Sequence, residues 1–376
     1  MKFSCSNLDF LEAANACSKA ASINTNIPVL EGILIDAGEN VVMTGNDMKI
    51  AIECTFTANI FSKGKIVVPA KILCEILRRM PEGTIFFELT GDANVNIKCG
   101  DLDFNIIGLP AEEFPAIPAS DAVRTMDIKP EVIKEIVSHN MFAVAQTELK
   151  PVLTGIKISI DANEITAASI DGYRMAISKI TADEFYEKGD FIIPGRTLAE
   201  LEKLVAGMDE PIKVNMGEKS VLFEFGNVRF FSRLLEGEFV NFKNLIPKEF
   251  NYNATVSVAE FIKSIDRASL LTGSDGTKVP VKITYAKDNI TVNCETPRGD
   301  FKDVLPVKAD CDESFEVGYN YRFLMDALRS ADCEYVKISI VGSINPTVIT
   351  PVEDDKFFYV FQKLLFRLQK QCRLQP

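Results

Sequence analysis

The side chains able to do chemistry are few and dispersed. The 376-residue chain has one histidine, His139, in a segment with helical spacing, where a surface position is expected rather than a general base. Nine cysteines, at 5, 17, 54, 74, 99, 294, 311, 333 and 372, form no C-x-x-C pair, so neither a zinc site nor a redox dithiol is spelled out. Strings such as G-x-S-x-G, G-x-G-x-x-G, H-E-x-x-H and the phosphate-binding loop are absent. Asp47 and Asp171 share a context, in Gly45-Asn46-Asp47 and Ile170-Asp171-Gly172. Paired carboxylates can act as acid and base, but residues repeated at one step in separate units are expected to serve turns. No catalytic residue, metal or cofactor is expected. What remains is a set of lysines and arginines at helical spacing. Their chemistry is electrostatic: long cationic side chains attract phosphates weakly and without direction.

Six predicted helices position those cations. The first starts at Asn7 as N-cap, buries Leu8, Leu11 and Ala14, and carries Lys19 near its end. A second, Lys71 to Met80, turns Ile72, Leu73, Ile76 and Leu77 inward and leaves Arg78 and Arg79 at its C-terminus. Pro130 opens the third, with Val132, Ile133, Ile136 and Val137 inward and Lys134 outward. Arg196 and Lys203 accompany Thr197 to Ala206, built on Leu198, Leu201 and Val205. Ser257 and Glu260 predict a capping box for the fifth, whose stripe is Val258, Phe261, Ile262 and Ile265, with Lys263 and Arg267 outside it. The sixth, Tyr321 to Ser330, uses Phe323, Leu324 and Ala327 and carries Arg322 and Arg329. Cations near helix C-termini also complement the macrodipole, a purely structural use. Asn40 to Thr44 and Lys157 to Ile160 read as strands, the latter ending in the turn Asp161-Ala162-Asn163. Asp312 to Ser314 and Pro247 to Asn253 read as connectors.

The chain repeats at a step of about 125 residues. Pro69 and Pro194 open matching segments, Pro28-Val29-Leu30-Glu31-Gly32-Ile33 recurs as Pro151-Val152-Leu153-Thr154-Gly155-Ile156, and Glu113-Phe114 recurs as Glu238-Phe239. So long a period means duplicated domains, predicted at 1–122, 123–249 and 250–376, each α+β. Hydrophobic residues are 47 % and charged ones 25 %, the balance of a globular protein. No apolar run suits a signal peptide or a membrane span, and the scattered cysteines fit a reducing compartment, so a cytoplasmic location is expected. The net charge of −12 argues against nucleic acid when taken alone. A ring acidic outside and basic inside would escape that argument.

Several strings resemble the bacterial sliding-clamp family, the β subunit of DNA polymerase III, over residues 1 to about 360. They are Met1-Lys2-Phe3, Leu109-Pro110-Ala111-Glu112-Glu113-Phe114-Pro115, Asp171-Gly172-Tyr173-Arg174-Met175-Ala176 and Leu245-Ile246-Pro247. The resemblance implies three tandem copies of the DNA-clamp fold, with helices lining a ring interior and antiparallel sheets outside. It implies a homodimer closed head to tail around duplex DNA, tethering the DNA polymerase III catalytic subunit and other clamp-binding-motif proteins, and handled by a clamp loader. DNA-facing candidates are then Lys19, Asn24, Lys71, Arg78, Arg79, Lys134, Lys150, Arg196, Lys203, Lys263, Arg267, Arg322 and Arg329. The family's peptide pocket carries over to Leu153, Ile170, Gly172, Tyr173, Arg174, Met175, Val240, Asn244, Leu245, Pro346, Thr347 and Val360, with Arg174 as a polar rim. Phe104 and Ile106 alternate suitably to meet Leu270 and Leu271 across a dimer interface. A strand buried in its own sheet is the other reading of that segment.

Two places depart from the family. The loop Ser22-Ile23-Asn24-Thr25-Asn26 lacks the family's usual arginine, so Asn24 offers hydrogen bonds without charge. The end of the chain lacks the family's hydrophobic-Pro-hydrophobic-Arg string; Tyr359 to Lys370 reads as a basic amphipathic extension. The competing class is a repeat-built scaffold that binds proteins without encircling DNA, its basic helix faces merely solvated.

Overall fold

The computed structural model describes residues 1–23, 25–118, 122–147, 149–272, 280–310, 314–342 and 345–361. Asn24, Asp312 and the terminal segment from Gln362 lie outside the described residues. Six α-helices occur among them: α1 (Asn7–Ser18), α2 (Ala70–Arg79), α3 (Pro130–Asn140), α4 (Gly195–Val205), α5 (Val258–Ser269) and α6 (Tyr321–Ser330). The strands pair throughout as antiparallel sheets, an α+β architecture.

Two compact units divide the chain, one from Met1–Ile133 with Arg196–Leu234, the other from Lys134–Gly195 with residues from Leu235 onward. The middle repeat is thus shared between them, for a physical reason visible in the strand pairing. In the first unit, strand Ile50–Phe56 pairs with Val228–Arg233, so that Ala51 faces Phe231, Ile52 faces Phe230 and Glu53 faces Arg229. This joins the first repeat to the middle one within an eight-stranded sheet running from Arg124–Ile128 to Gly64–Pro69. In the second unit, Arg174–Pro194 pairs with Phe357–Phe361, so that Met175 faces Val360, Ala176 faces Tyr359 and Ile177 faces Phe358. The same register therefore recurs at both junctions. Each repeat boundary is a hydrogen-bonded sheet rather than a hinge.

Several local expectations shift. Ser6, not Asn7, caps α1: its Oγ accepts from the Leu8 amide at 3.2 Å. Asn7 is buried, and its Nδ2 donates to the carbonyls of Met80 and Pro81, both at 3.2 Å, tying the start of α1 to the end of α2. The core stripe is accordingly Phe10, Ala13, Ala14 and Cys17, and Leu8 is exposed. Ile72 is also exposed, because the inward face of α2 runs through Leu73, Ile76 and Leu77. Ser257 stands at the N-cap of α5 without a side-chain hydrogen bond, and Glu260 pairs with Lys263 at 3.0 Å, so no capping box forms. The predicted turn at Asp161-Ala162-Asn163 does not end the strand. The extended run Gly155–Ile170 continues through it, with register breaks on either side of Ala162, whose φ is +57°.

Candidate functional site

An apolar cluster in the second unit collects four of the predicted pocket residues, Leu153, Ile170, Met175 and Val360. Met175 and Val360 are buried in it together with Ala168, Ile177, Ile192, Phe239, Phe242 and Val348, while Leu153 and Ile170 pack on it half-buried. The strand register accounts for this: Met175 lies opposite Ile170 on one side and Val360 on the other. Val240 and Leu245 are exposed beside buried Phe242, so the 3₁₀ turn Phe242–Leu245 anchors one ring and presents its neighbours outward. Asn244 is exposed and Pro346 half-buried. Thr347 is buried, and its Oγ1 lies 2.6 Å from the Tyr319 hydroxyl, which makes it part of the wall's support rather than its surface.

The turn Asp171–Arg174 is built by side-chain capping. Asp171 Oδ1 accepts from the amides of Tyr173 at 2.8 Å and Arg174 at 3.0 Å, and Gly172 takes φ +94°, a left-handed angle suited to glycine. Asp47 Oδ1 does the same for Lys49 at 2.9 Å and Ile50 at 2.8 Å, so both aspartates serve turns. Tyr173 is exposed, with its ring centroid 6.1 Å from that of Phe323.

Arg174 does not form an open polar rim. Its side chain is only 11 % exposed, its Nε donates to Asp171 Oδ2 at 3.0 Å, and its Nη1 donates to Asp326 Oδ2 of α6 at 2.7 Å. The guanidinium also lies 4.3 Å from the centroid of the Phe323 ring. Two carboxylates neutralise it, and it bolts the turn to α6. The sequence places Phe323 only on the inward stripe of its helix and Phe239 only in a recurrence, and gives neither of them, nor Asp326 or Phe242, a place at this site; Asp326 and Phe323 lie some 150 residues from Arg174. The Glu113-Phe114 and Glu238-Phe239 recurrence was the signal for Phe239.

His139 also departs from expectation: it is buried, not on the surface. Its ring stacks on Phe357 with centroids 5.2 Å apart, and Nδ1 lies 2.7 Å from the Tyr359 hydroxyl.

The predicted cations fall into two groups. Lys19 and Lys203 both pair with Glu200, at 3.3 and 3.0 Å, and Arg79 pairs with Glu75 at 3.1 Å. Arg196 pairs with Asp47, Arg267 with Asp303, and Lys263 with Glu260. Lys71, Arg78, Lys134, Lys150, Arg322 and Arg329 are exposed and show no ion pair among the described residues. Phe104 and Ile106 are half-buried on the edge strand Leu102–Ile107; Leu270 is 81 % exposed just past α5, and Leu271 half-buried.

The tandem α+β units with strand-paired junctions define a DNA-clamp fold. The sequence matches three domain descriptions in order: DNA polymerase III beta subunit, N-terminal domain, over residues 1–118, central domain over 127–241 and C-terminal domain over 243–364. The beta sliding clamp of Staphylococcus aureus (strain Mu50 / ATCC 700699) is 31 % identical over 365 residues, covering 94 % of this chain and 97 % of that protein. Among solved structures, a DNA polymerase III beta subunit from Eubacterium rectale ATCC 33656 superposes with TM-score 0.93 at 29 % identity, over 98 % of this chain and 100 % of that one. The sliding clamp of Bacillus subtilis gives TM-score 0.91 at 28 % identity, over 97 % and 99 %. The chain belongs to the DNA polymerase III beta subunit family, the beta sliding clamps, which are accessory processivity factors of DNA replication.

Proposed function

We propose that two copies of this chain close head to tail into a ring around duplex DNA. The ring holds the DNA polymerase III catalytic subunit and other clamp-binding-motif proteins at the primer terminus, and a clamp loader opens it. Domains at 1–122, 123–249 and 250–376 serve this reading. The ring does no chemistry of its own, DNA synthesis residing in its partners. No helix among the described residues is long and apolar enough to cross a membrane, and the proposed place of work is the cytoplasm.

The observation that carries the reading is the ordered, nearly full-length match to the three clamp domains. Lys71, Arg78, Lys134, Lys150, Arg322 and Arg329 supply uncompensated charge for phosphates, enough for a salt-sensitive grip that lets the ring slide. Lys19, Arg79, Arg196, Lys203, Lys263 and Arg267 spend charge on neighbouring carboxylates and contribute less. The peptide site is the cluster around Met175 and Val360, taking apolar anchors between Leu153, Ile170, Tyr173, Val240 and Leu245.

The test is topological. Loaded with a clamp loader and ATP, the protein stays on a nicked circle and leaves once the circle is linearised. Equal retention on both forms removes encirclement and leaves the protein-binding scaffold.

A further inference from the structure

The two interior junctions fix the geometry of a third. Strand Val228–Arg233 follows a hairpin in which Phe225 faces Val228 across Gly226, φ +51°. Strand Leu102–Ile107 follows a hairpin in which Cys99 faces Leu102 across Gly100, φ +57°. Counting from that turn, Asp103 occupies the place of Arg229, Phe104 that of Phe230 and Ile106 that of Ser232. The other half matches equally well. Strand Ile50–Phe56 follows a turn in which Asp47 accepts from the Lys49 amide, and strand Gly299–Pro306 follows one in which Thr296 Oγ1 accepts from the Arg298 amide at 3.2 Å. Lys302 therefore occupies the place of Glu53, and Phe301 that of Ile52.

Leu102–Ile107 and Gly299–Pro306 are both sheet edges. At the interior junction Phe230, Ser232 and Ile52 are fully buried; their counterparts Phe104, Ile106 and Phe301 are only half-buried, and Ile107 and Val304 are exposed. Among the described residues these two edges lack a strand partner and their apolar side chains lack cover, as sheets pairing with a second copy require.

The charges carry the inference further. At the interior junction Arg229 bridges Glu53 at 2.9 Å and Glu224 at 3.4 Å, a row of anion, cation, anion. In the first repeat Lys98 pairs with Asp103 at 3.0 Å, the same row with its signs inverted and its third member absent. Lys302 is exposed and shows no ion pair among the described residues. Resting on the head-to-tail reading proposed above, we infer that the seam between two copies takes the interior register, with Phe104 opposite Phe301 and Asp103 opposite Lys302, and that this inverted charge pair specifies which strands join. The inversion has a use in a chain that carries the same junction repeatedly. Were Leu102–Ile107 to pair with Ile50–Phe56, Asp103 would meet Glu53. Were Gly299–Pro306 to pair with Val228–Arg233, Lys302 would meet Arg229. Like charges directly opposite are destabilising, so each edge rejects the wrong mate. The middle–third junction, with Ile177 opposite Phe358, is uncharged at this position and takes no part in the code.

Sedimentation of two full-length variants tests this. Asp103→Lys and Lys302→Asp each place like charges at both seams of a homodimer, and each alone should dimerise about tenfold or more weakly than the parent chain. Mixed one to one, they should recover parent-like dimerisation, because both seams of the mixed dimer then hold opposite charges. Variants that dimerise as tightly as the parent, or a mixture no tighter than its components, overturn the charge code and leave the ring standing. A parent chain that stays monomeric at micromolar concentration overturns the ring and the seam together.

Discussion

Helices α1 and α3 lie on equivalent strands of successive repeats, yet the two contacts are made of different chemistry. Under α1 the contact is thiol and glycine: Cys17 Sγ donates to the Met43 carbonyl at 3.3 Å, Cys54 is buried nearby, and Gly45 lies flat against the helix end. Under α3 the matching positions are polar. Asn140 Nδ2 donates to Ser178 Oγ at 2.6 Å, Ser169 Oγ donates to the Asn140 carbonyl at 2.7 Å, and His139 meets Tyr359. Where the first repeat closes by bringing backbones together, the middle repeat spaces them with hydroxyls and fills the gap with hydrogen bonds. Duplication fixed the frame; each copy then solved its interior separately. A soft apolar contact tolerates burial at no electrostatic cost, whereas a polar one must be satisfied atom by atom.

The sharpest way to break this comparison is to exchange the two solutions. A Cβ on Gly45 would stand 1.9 Å from the Cys17 carbonyl oxygen, a backbone atom that cannot yield. Gly45→Ser should therefore cost more than about 4 kcal/mol or prevent the first unit from folding. The reverse change, Ser169→Gly, removes one buried hydrogen bond and a little packing, for about 1–2 kcal/mol. Denaturant unfolding measures both. Near-equal costs would show that the spacing under α1 and α3 is the same after all.

A second contrast lies in the two turns. Ile50, buried, stands where the middle repeat has Arg174, and Asp47 borrows its cation from Arg196 of α4. Arg174 instead satisfies its own turn and reaches α6. Arg174→Ala would leave Asp171 and Asp326 facing a gap and Phe323 without its stacked cation, a loss of about 2–4 kcal/mol. Arg174→Lys should recover little of it, since an ammonium cannot serve two carboxylates and a ring face together. Unfolding of the Arg174→Ala variant unchanged from the parent would return Arg174 to the role of an open rim.

Much of this was legible from periodicity. Tyr321–Ser330 was bounded to the residue, and Val132, Ile133, Ile136 and Val137 all turned inward, because each stripe lies within one local window. The turn roles of Asp47 and Asp171 followed from recurrence. What failed was decided at long range. The place of His139 depends on Tyr359, 220 residues away, and that of Arg174 on Asp326. Asn7 looked like a cap because its type suits one; the shape of the α2 terminus claimed its amide instead. Cations that suit a helix face equally suit a neighbouring carboxylate, and only the fold separated Lys134 from Lys203.

The smallest expected effect is also the most specific, since His139 is the chain's sole histidine. Tyr359 Oη lies 2.7 Å from His139 Nδ1 and 3.2 Å from the Ser330 carbonyl; when the hydroxyl donates to that carbonyl it accepts from Nδ1, and the neutral ring then carries its proton on that nitrogen. Burial holds the imidazole below its ordinary value; Asp332 and Asp354 oppose this in part, Lys356 reinforces it, and the Ser330 carbonyl opposes it. A histidine depressed in the folded state stabilises the fold fully above the unfolded value near 6.5, and that share is lost as pH falls through 6.5 toward the folded value. The equivalent position under α1 is Ala16, which does not titrate, so the acid sensitivity belongs to the α3 contact alone. A single imidazole resonance followed by NMR should titrate with its midpoint below 6.5, and Tyr359→Phe should move it by removing the hydroxyl beside Nδ1. A midpoint at or above 6.5 would mean that the ring is solvated, and the polar contact under α3 would then be open to water where the thiol contact under α1 is dry.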